Sequence, residues 1–362
     1  GYSYFKLKEY STAAILFEKF INTNNEDMKM NDDATIRMGD SFFATKEYIK
    51  SINAYKKVVD QFGASADYAQ YQMAMSYGFL KNNDYKISQL ENLLTNFELS
   101  NFRDDALFQL GNSYSAKKEN KNAHRVYKTL FKNFPRSSYI SRALLRDGLL
   151  FYNDDENQKA LKNYKEIITK YPNSAEAKEA VTNAKNVYID LGTVDEYAIW
   201  AKGISFINIT DAEIDNTTYE AAENKFLAND ILKAMEGFKK YIKAFPKGLH
   251  ALQANFYLAQ LLVKTNLQED AVSNYQYVIN QPQSEFSEEA LNKLSQLLLE
   301  KEDWSNAIPL LERLEIEANV PLNIIYAQSN LMKGYYQSYE YTKAVEYAEK
   351  ILLQDKTETI VE

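Results

Sequence analysis

The sequence of 362 residues contains no cysteine, and this absence removes several kinds of chemistry at once. Without thiols there is no disulfide, no thiolate nucleophile and no cysteine-based zinc site. The absence does not identify a compartment, because cytosolic and cell-envelope proteins can both lack cysteine. A glycine-rich phosphate loop and a Gly-x-Ser-x-Gly elbow are also missing, so the sequence carries no common signature of nucleotide binding or hydrolase catalysis.

Histidine is nearly as scarce, since the sequence has only His124 and His250. Neither has a metal-ligating residue three or four positions later, the spacing that places two ligands on one helix face. Acidic clusters begin at Asp32, Asp104 and Asp154; the first two suit helix starts, and the third lacks the pattern of a calcium loop. We therefore predict no catalytic residue, no cofactor and no metal site, and expect that the protein is not an enzyme.

Excess positive charge and long apolar runs are absent as well. The formal net charge is −8 and the isoelectric point about 5.2, which argues against a general binder of nucleic acid or anionic membranes. No apolar run approaches the roughly 18 residues that a membrane-spanning helix needs. Seven of the 42 basic residues are arginine, a composition that suggests an AT-rich bacterial genome.

What the sequence does contain is a repeat. A glycine, an alanine, a tyrosine and a proline recur with identical internal spacing after 37 residues, first as Gly111, Ala123, Tyr127 and Pro135, then as Gly148, Ala160, Tyr164 and Pro172. A fixed period of this size is typical of a solenoid, in which each unit stacks on its neighbours.

The same period runs through the whole sequence, and the position of the first motif glycine can be followed in ten copies. Two copies depart from the small residue expected there, Lys185 and Met332. The ten positions are Gly1, Gly39, Ala74, Gly111, Gly148, Lys185, Ala222, Ala259, Ser295 and Met332. The alanine position also has departures, of which Lys86 and Tyr197 are the clearest.

An antiparallel helix pair explains the pattern. The motif glycine on helix A and the motif alanine on helix B are small where the two helices cross, which permits close approach. The bulky residue four positions after the alanine shares its face of helix B and fills the seam. Proline follows helix B, where it cannot continue the helix.

These residues resemble the tetratricopeptide repeat family, and the resemblance covers nearly all of the sequence. It implies an all-α, right-handed superhelix of about ten helix–turn–helix repeats. Turns such as Phe134-Pro-Arg-Ser and Tyr171-Pro-Asn-Ser look most like those of bacterial cell-envelope members, namely the outer-membrane-assembly lipoprotein type and the Tol-Pal-associated type. The sequence departs from the family in its period, which is near 37 rather than 34.

The resemblance also implies a concave groove lined by the A helices. Family members that grip acidic chaperone tails need a lysine and an asparagine at paired groove sites. Asn112 is present, but Phe108 stands where the lysine belongs, so a chaperone-tail adaptor is not expected. By register, the expected partner-binding residues are Tyr71, Met75, Phe79, Phe108, Asn112, Tyr152, Tyr219 and Phe256.

One repeat lacks the small motif residues but keeps the 37-residue spacing. Gly203 and the β-branched stretch 204–210 predict a short helix B followed by an extended segment. We therefore predict an N-terminal array over 1–192 that begins within a repeat, a degenerate junction over 193–215 and a C-terminal array over 216–362. The sequence is expected to be part of a longer chain.

The predicted function is a non-catalytic protein–protein interaction scaffold that binds a partner segment in an aromatic groove. Its expected location is the periplasm, in an outer-membrane or secretion assembly, with no nucleic-acid partner and no insertion into the membrane. The alternatives are a structural spacer that binds at its ends or convex face, a cytoplasmic adaptor, and an enzyme whose catalytic domain lies elsewhere.

Overall fold

A computed structural model describes residues 1–23, 27–63 and 65–358. These residues form twenty α-helices and no strand, so the all-α prediction is confirmed. Odd-numbered helices are the A helices of the repeats and even-numbered helices are the B helices. Each helix packs mainly on its neighbours in sequence, as expected for stacked hairpins.

The chain forms two compact units, Gly1–Val187 and Tyr188–Glu362. Unit 1 contains α1 (Tyr2–Lys6), α2 (Tyr10–Thr23), α3 (Met28–Ala44), α4 (Tyr48–Asp60), α5 (Ala66–Phe79), α6 (Asn83–Asn96), α7 (Arg103–Ala116), α8 (Asn120–Asn133), α9 (Ile140–Asn153), α10 (Asn157–Lys170) and most of α11 (Ala175–Leu191).

Unit 2 begins within the last turn of α11 and carries the remaining repeats. It contains α12 (Val194–Lys202), α13 (Asp211–Leu227), α14 (Ile231–Ala244), α15 (Ala251–Lys264), α16 (Gln268–Ile279), α17 (Ser287–Glu300), α18 (Trp304–Glu317), α19 (Pro321–Gln337) and α20 (Tyr341–Glu358).

The motif residues form the seam inside each hairpin. Ala123 and Tyr127 are completely buried on α8, and Ala160 and Tyr164 are completely buried on α10. The hydroxyl of Tyr127 donates to Asn112 Oδ1 at 2.8 Å across the hairpin. The prediction that small and bulky motif residues meet where helices A and B cross is confirmed.

The turn between helices A and B has one conformation in all ten repeats. Its last residue but one has a positive φ of 56–70°, the left-handed region that disfavours side chains. A glycine occupies this position in one turn, Gly192 of the degenerate repeat. The ten residues are Lys8, Lys46, Lys81, Lys118, Asp155, Gly192, Asn229, Asn266, Glu302 and Tyr339. Since each stands seven positions after a motif position, the register predicted from sequence is confirmed by the backbone.

The degenerate repeat has a nine-residue helix, α12, which ends at Lys202 and has Gly203 as its C-cap. Residues 204–210 have no regular secondary structure, and Thr210 then caps α13 by accepting from the Glu213 amide at 3.2 Å. Trp200 lies 5.9 Å from the Tyr188 ring and 6.2 Å from the Tyr197 ring, measured between centroids. Trp200 is therefore part of an aromatic cluster within unit 2.

Candidate protein-binding cleft

A cleft of about 650 Å³ opens along three consecutive A helices of unit 1, α7, α9 and α11. Small side chains at Ser115, Ala116 and Ala175 leave room between the helices. We call this surface the inner cleft. The residues that line it are Phe108, Asn112, Ser115, Ala116, Arg142, Leu145, Arg146, Ala175, Glu176 and Glu179.

Charges of both signs face the inner cleft. Glu176 accepts from the Ser141 hydroxyl at 3.0 Å and lies 3.7 Å from Nε of Arg142, so this carboxylate is held within unit 1. Arg146 and Glu179 form no ion pair with the residues that the structure describes. The cleft therefore presents one cation and one anion that a bound segment can reach.

The inner wall of the cleft is rigid. Phe108 is 7% exposed and stacks on Tyr139, with ring centroids 4.8 Å apart. The Arg142 guanidinium lies over the ring of Tyr139, 5.2 Å from its centroid. Asp105 accepts a hydrogen bond from the Tyr139 hydroxyl, and this bond and burial raise the pKa of Tyr139 to about 12. The wall thus keeps its shape without a ligand.

The Phe108–Tyr139 contact belongs to a series between successive A helices. In each case a ring three positions before the motif residue packs on a ring at the N-cap of the next A helix. Centroid distances range from 4.3 to 5.6 Å. The pairs are Tyr71 with Phe102, Phe108 with Tyr139, Tyr219 with His250 and Phe256 with Phe286. These four stacks therefore join neighbouring repeats.

The structure places two of the eight expected partner-binding residues, Phe108 and Asn112, in the inner cleft. The side-chain oxygen of Asn112 already accepts from Tyr127, so it is engaged inside the protein. Tyr71, Met75 and Tyr152 are half-buried on their A helices. Burial and the nearby Asp105 carboxylate raise the pKa of Tyr71.

Phe79 has a different neighbourhood. It is 60% exposed and stacks on Tyr48 with 5.0 Å between centroids, while Phe43 meets it edge-on at 5.3 Å. These three rings lie beside the A–B turns, at the border of the A-helix surface.

Tyr219 and Phe256 belong to unit 2 and are 6% and 4% exposed. Each ring packs against the N-cap of the next A helix instead of projecting outward, because that contact removes more apolar surface from water. They are not surface residues in this structure, which differs from the exposure expected at these register positions.

Sequence reasoning missed the charged residues of the inner cleft. Arg142 and Arg146 lie six and two residues before Gly148, and neither is among the groove residues expected from the register. Glu179 lies on α11, where the motif itself is degenerate. A signal was available, because Arg142 and Arg146 are two of seven arginines and are spaced to share one helix face.

Metal-binding clusters and membrane-spanning helices are both absent from the described residues. Within the described ranges, no group of three or more His, Asp or Glu side chains is arranged to hold a metal ion. Among the helices of those same ranges, none combines the length and apolar character that crossing a bilayer requires.

Comparison with known proteins identifies the repeat. The sequence profile of the family described as "Tetratricopeptide repeat" matches residues 105–137 and 142–174, which cover α7–α8 and α9–α10. No curated protein has significant sequence similarity to this chain.

Two solved structures are among those that match this chain. A tetratricopeptide repeat protein from Parabacteroides merdae ATCC 43184 is 12% identical with a TM-score of 0.38, over 75% of this chain and 99% of that one. The structure of Naa15/Naa10 bound to HypK-THB is 14% identical with a TM-score of 0.44, over 90% of this chain and 58% of that one.

The matched repeats lie in the middle of a series of helix pairs that keep one register and one turn conformation. The family profile therefore identifies tetratricopeptide repeats at residues 105–137 and 142–174 of this chain.

Proposed function

We propose that this protein is a non-catalytic scaffold that binds a segment of a protein partner in the inner cleft. Tetratricopeptide repeats are interaction modules, and stacked repeats use the surface formed by their A helices. The observation that carries the proposal is the inner cleft itself. It is lined by A helices alone, its wall is fixed by internal contacts, and two of its charges are unpaired within the described residues.

The cleft chemistry indicates the kind of segment. Leu145 and Phe108 line the cleft as a largely buried apolar wall, while the small side chains Ser115 and Ala116 leave space above it. Arg146 on α9 and Glu179 on α11 suit a segment with an acidic and a basic side chain on either side of an apolar one. Such a contact gains specificity from charge complementarity and affinity from the apolar anchor.

Site-specific photo-crosslinking in the native cells tests the proposal. A photoreactive residue is placed at Ser115 or Tyr152 on the A-helix surface, and at the exposed Lys57 on α4 as a control. Mass spectrometry then identifies each adduct. We expect one partner to be captured from the A-helix positions and not from Lys57. Capture from Lys57 alone, or equal capture from all positions, would contradict binding in the inner cleft.

We further propose that the scaffold works in the bacterial cell envelope, in an outer-membrane or secretion assembly. Support comes from the turn sequences at Phe134-Pro-Arg-Ser and Tyr171-Pro-Asn-Ser and from the low arginine content. Fractionation of native cells provides the test. Recovery with periplasmic or outer-membrane markers supports the proposal, and recovery with cytosolic markers favours the cytoplasmic adaptor.

A second candidate function, a spacer that binds at its ends or convex face and not in the inner cleft, is favoured by one apolar surface in unit 2. Tyr336, Tyr341 and Val345 are 62%, 53% and 56% exposed and line a shared depression between α19 and α20. A photoreactive residue at Val345 separates the two functions, because the spacer predicts capture there and none at Ser115.

A further inference from the structure

The B helices of unit 1 form a second cleft, of about 560 Å³, between α8 and α10. The floor is α9, which packs between them. We call it the outer cleft. It does not share a lining residue with the inner cleft, so the two surfaces can be tested independently.

Three cations of the outer cleft are unpaired within the described chain. Arg125 and Lys128 project from α8, Lys162 projects from α10, and all three are exposed. A fourth, Lys170, is bound by Glu166 at 2.8 Å. On a protein with a net charge of −8, this is a local excess of positive charge that the described residues do not neutralise.

The remaining carboxylate of the cleft is turned inward. Asp147 on α9 is 5% exposed, accepts from Asn163 Nδ2 at 2.8 Å and lies 2.6 Å from Nδ1 of His124. Burial raises the pKa of Asp147. Because His124 belongs to α8 and Asn163 to α10, Asp147 joins the two walls through the floor and fixes the width of the cleft. A preformed width lowers the entropic cost of binding.

The floor is apolar. Phe151 of α9 is half-buried, the buried side chains Ile140 and Leu144 of α9 line the same cleft, and the half-buried Phe131 of α8 adjoins them from the wall. Phe151 stacks on His124 with 3.9 Å between centroids, so this ring is held in place. A ligand that fits must therefore combine negative charge at the walls with an apolar side chain at the floor.

We propose that the outer cleft binds an acidic segment of a protein partner that carries one aromatic or aliphatic anchor. Carboxylates of the segment pair with Arg125 and Lys128 on one wall and with Lys162 on the other, while the anchor packs on Phe131. A nucleic acid fits less well, because three cations around an apolar floor do not form the row of phosphate contacts that such binding uses.

Fluorescence anisotropy with the whole chain tests this surface. The probe is a short fluorescein-labelled peptide in which Asp and Glu flank a single Phe. We expect saturable binding that weakens about tenfold or more in the double variant R125E/K128E, and also in Lys162→Glu on the opposite wall. The matched control is K121E/K132E, which makes the same charge change at exposed positions of α8 outside the cleft and is expected to weaken binding less than about threefold. Circular dichroism verifies that each variant is folded.

Several results would overturn the proposal. One is the absence of saturable binding to the unmodified protein, and another is equal weakening by the cleft pair and the control pair, which indicates unspecific attraction. Tighter binding of a single-stranded DNA oligonucleotide than of the peptide would assign the cleft to nucleic acid. Loss of peptide binding in Ala116→Trp, which obstructs the inner cleft only, would place the peptide there instead.

Discussion

A methyl group added to Gly111 would lie 2.4 Å from Cε1 of Tyr127, closer than side chains approach each other. The same relationship holds for Gly39 with Tyr55 at 2.7 Å and for Gly148 with Tyr164 at 2.6 Å. The motif glycine on helix A therefore leaves the space that the aromatic ring of helix B occupies.

Gly111→Ala should lower the free energy of unfolding by about 1 kcal/mol. Alanine adds about 1 kcal/mol of helix propensity, but overpacking against a buried ring costs about 1–3 kcal/mol. Tyr127 cannot move aside easily, because it is fully buried and bonded to Asn112. Chemical denaturation measures the change.

The control for this prediction is the same substitution in a Tyr127→Leu background. Ala74 and Leu90 occupy the two positions in another repeat, so alanine and leucine are compatible there. Gly111→Ala should then stabilise by about 1 kcal/mol, a reversal of sign that shows the coupling. The same loss in both backgrounds would mean that the Tyr127 ring is not the cause.

The hydroxyl groups of two motif tyrosines have different surroundings, so we expect their removal to change the stability of the protein by different amounts. Tyr127→Phe should cost about 1 kcal/mol, because it leaves Asn112 without its donor. Tyr164→Phe should be neutral or stabilising, since the buried Tyr164 hydroxyl has no hydrogen-bond partner among the described residues. The position equivalent to Asn112 is Leu149, which explains the missing partner. Equal losses from both variants would contradict this assignment.

The left-handed turn position predicts a stabilising substitution. Lys118 has a φ of 61°, which costs a residue with a side chain about 1–2 kcal/mol relative to glycine. Lys118→Gly should therefore raise the free energy of unfolding by about 1 kcal/mol, after allowance for the greater freedom of unfolded glycine. Lys162→Gly, within helix α10, is the control and should cost about 1 kcal/mol. A loss at both positions would show that the turn is not strained.

Lys86 stands at a position where the motif has alanine. We expect it to make the folding stability depend on pH. Burial lowers the pKa of Lys86 below its ordinary value of 10.5, because the ammonium group is partly removed from water. The charged form is thus disfavoured in the folded state. Stability due to this group is low at neutral pH and recovers as the pH rises through the folded pKa towards 10.5.

Lys86→Met removes that charge and should raise the melting temperature at pH 7. The difference from the unmodified protein should shrink as the pH approaches 10.5, and taking the difference cancels the tyrosines that titrate in both proteins. Melting curves between pH 7 and about 10 test this. A difference that stays constant with pH would show that packing, not charge, controls the effect.

The helix pairs and their register could be predicted from sequence because small and bulky residues recur at fixed positions. Gly148, Ala160 and Tyr164 interact within one hairpin, so their spacing describes their contact directly. The left-handed turns carried no comparable signal, since one glycine alone, Gly192, stands among ten such positions that otherwise hold Lys, Asp, Asn, Glu or Tyr.

The candidate site was harder to predict because it depends on contacts between repeats. Phe108 faces outward by register, yet the ring of Tyr139 from the next turn covers it. The partners of these stacks come from inter-repeat turns, which the motif does not include. The cleft charges Arg146 and Glu179 line one surface only because α9 and α11 lie side by side.

Binding in the inner cleft is tested most directly with a variant in which a large side chain fills that cleft. The quantity to measure is the affinity of this variant for the crosslinked partner segment. Ala116→Trp introduces a large side chain at an exposed cleft position, and Lys57→Trp introduces the same side chain on α4. Isothermal titration calorimetry compares both with the unmodified protein. We expect Ala116→Trp to weaken binding by about tenfold or more and Lys57→Trp to leave it unchanged. Unchanged affinity in a folded Ala116→Trp protein would contradict binding in the inner cleft.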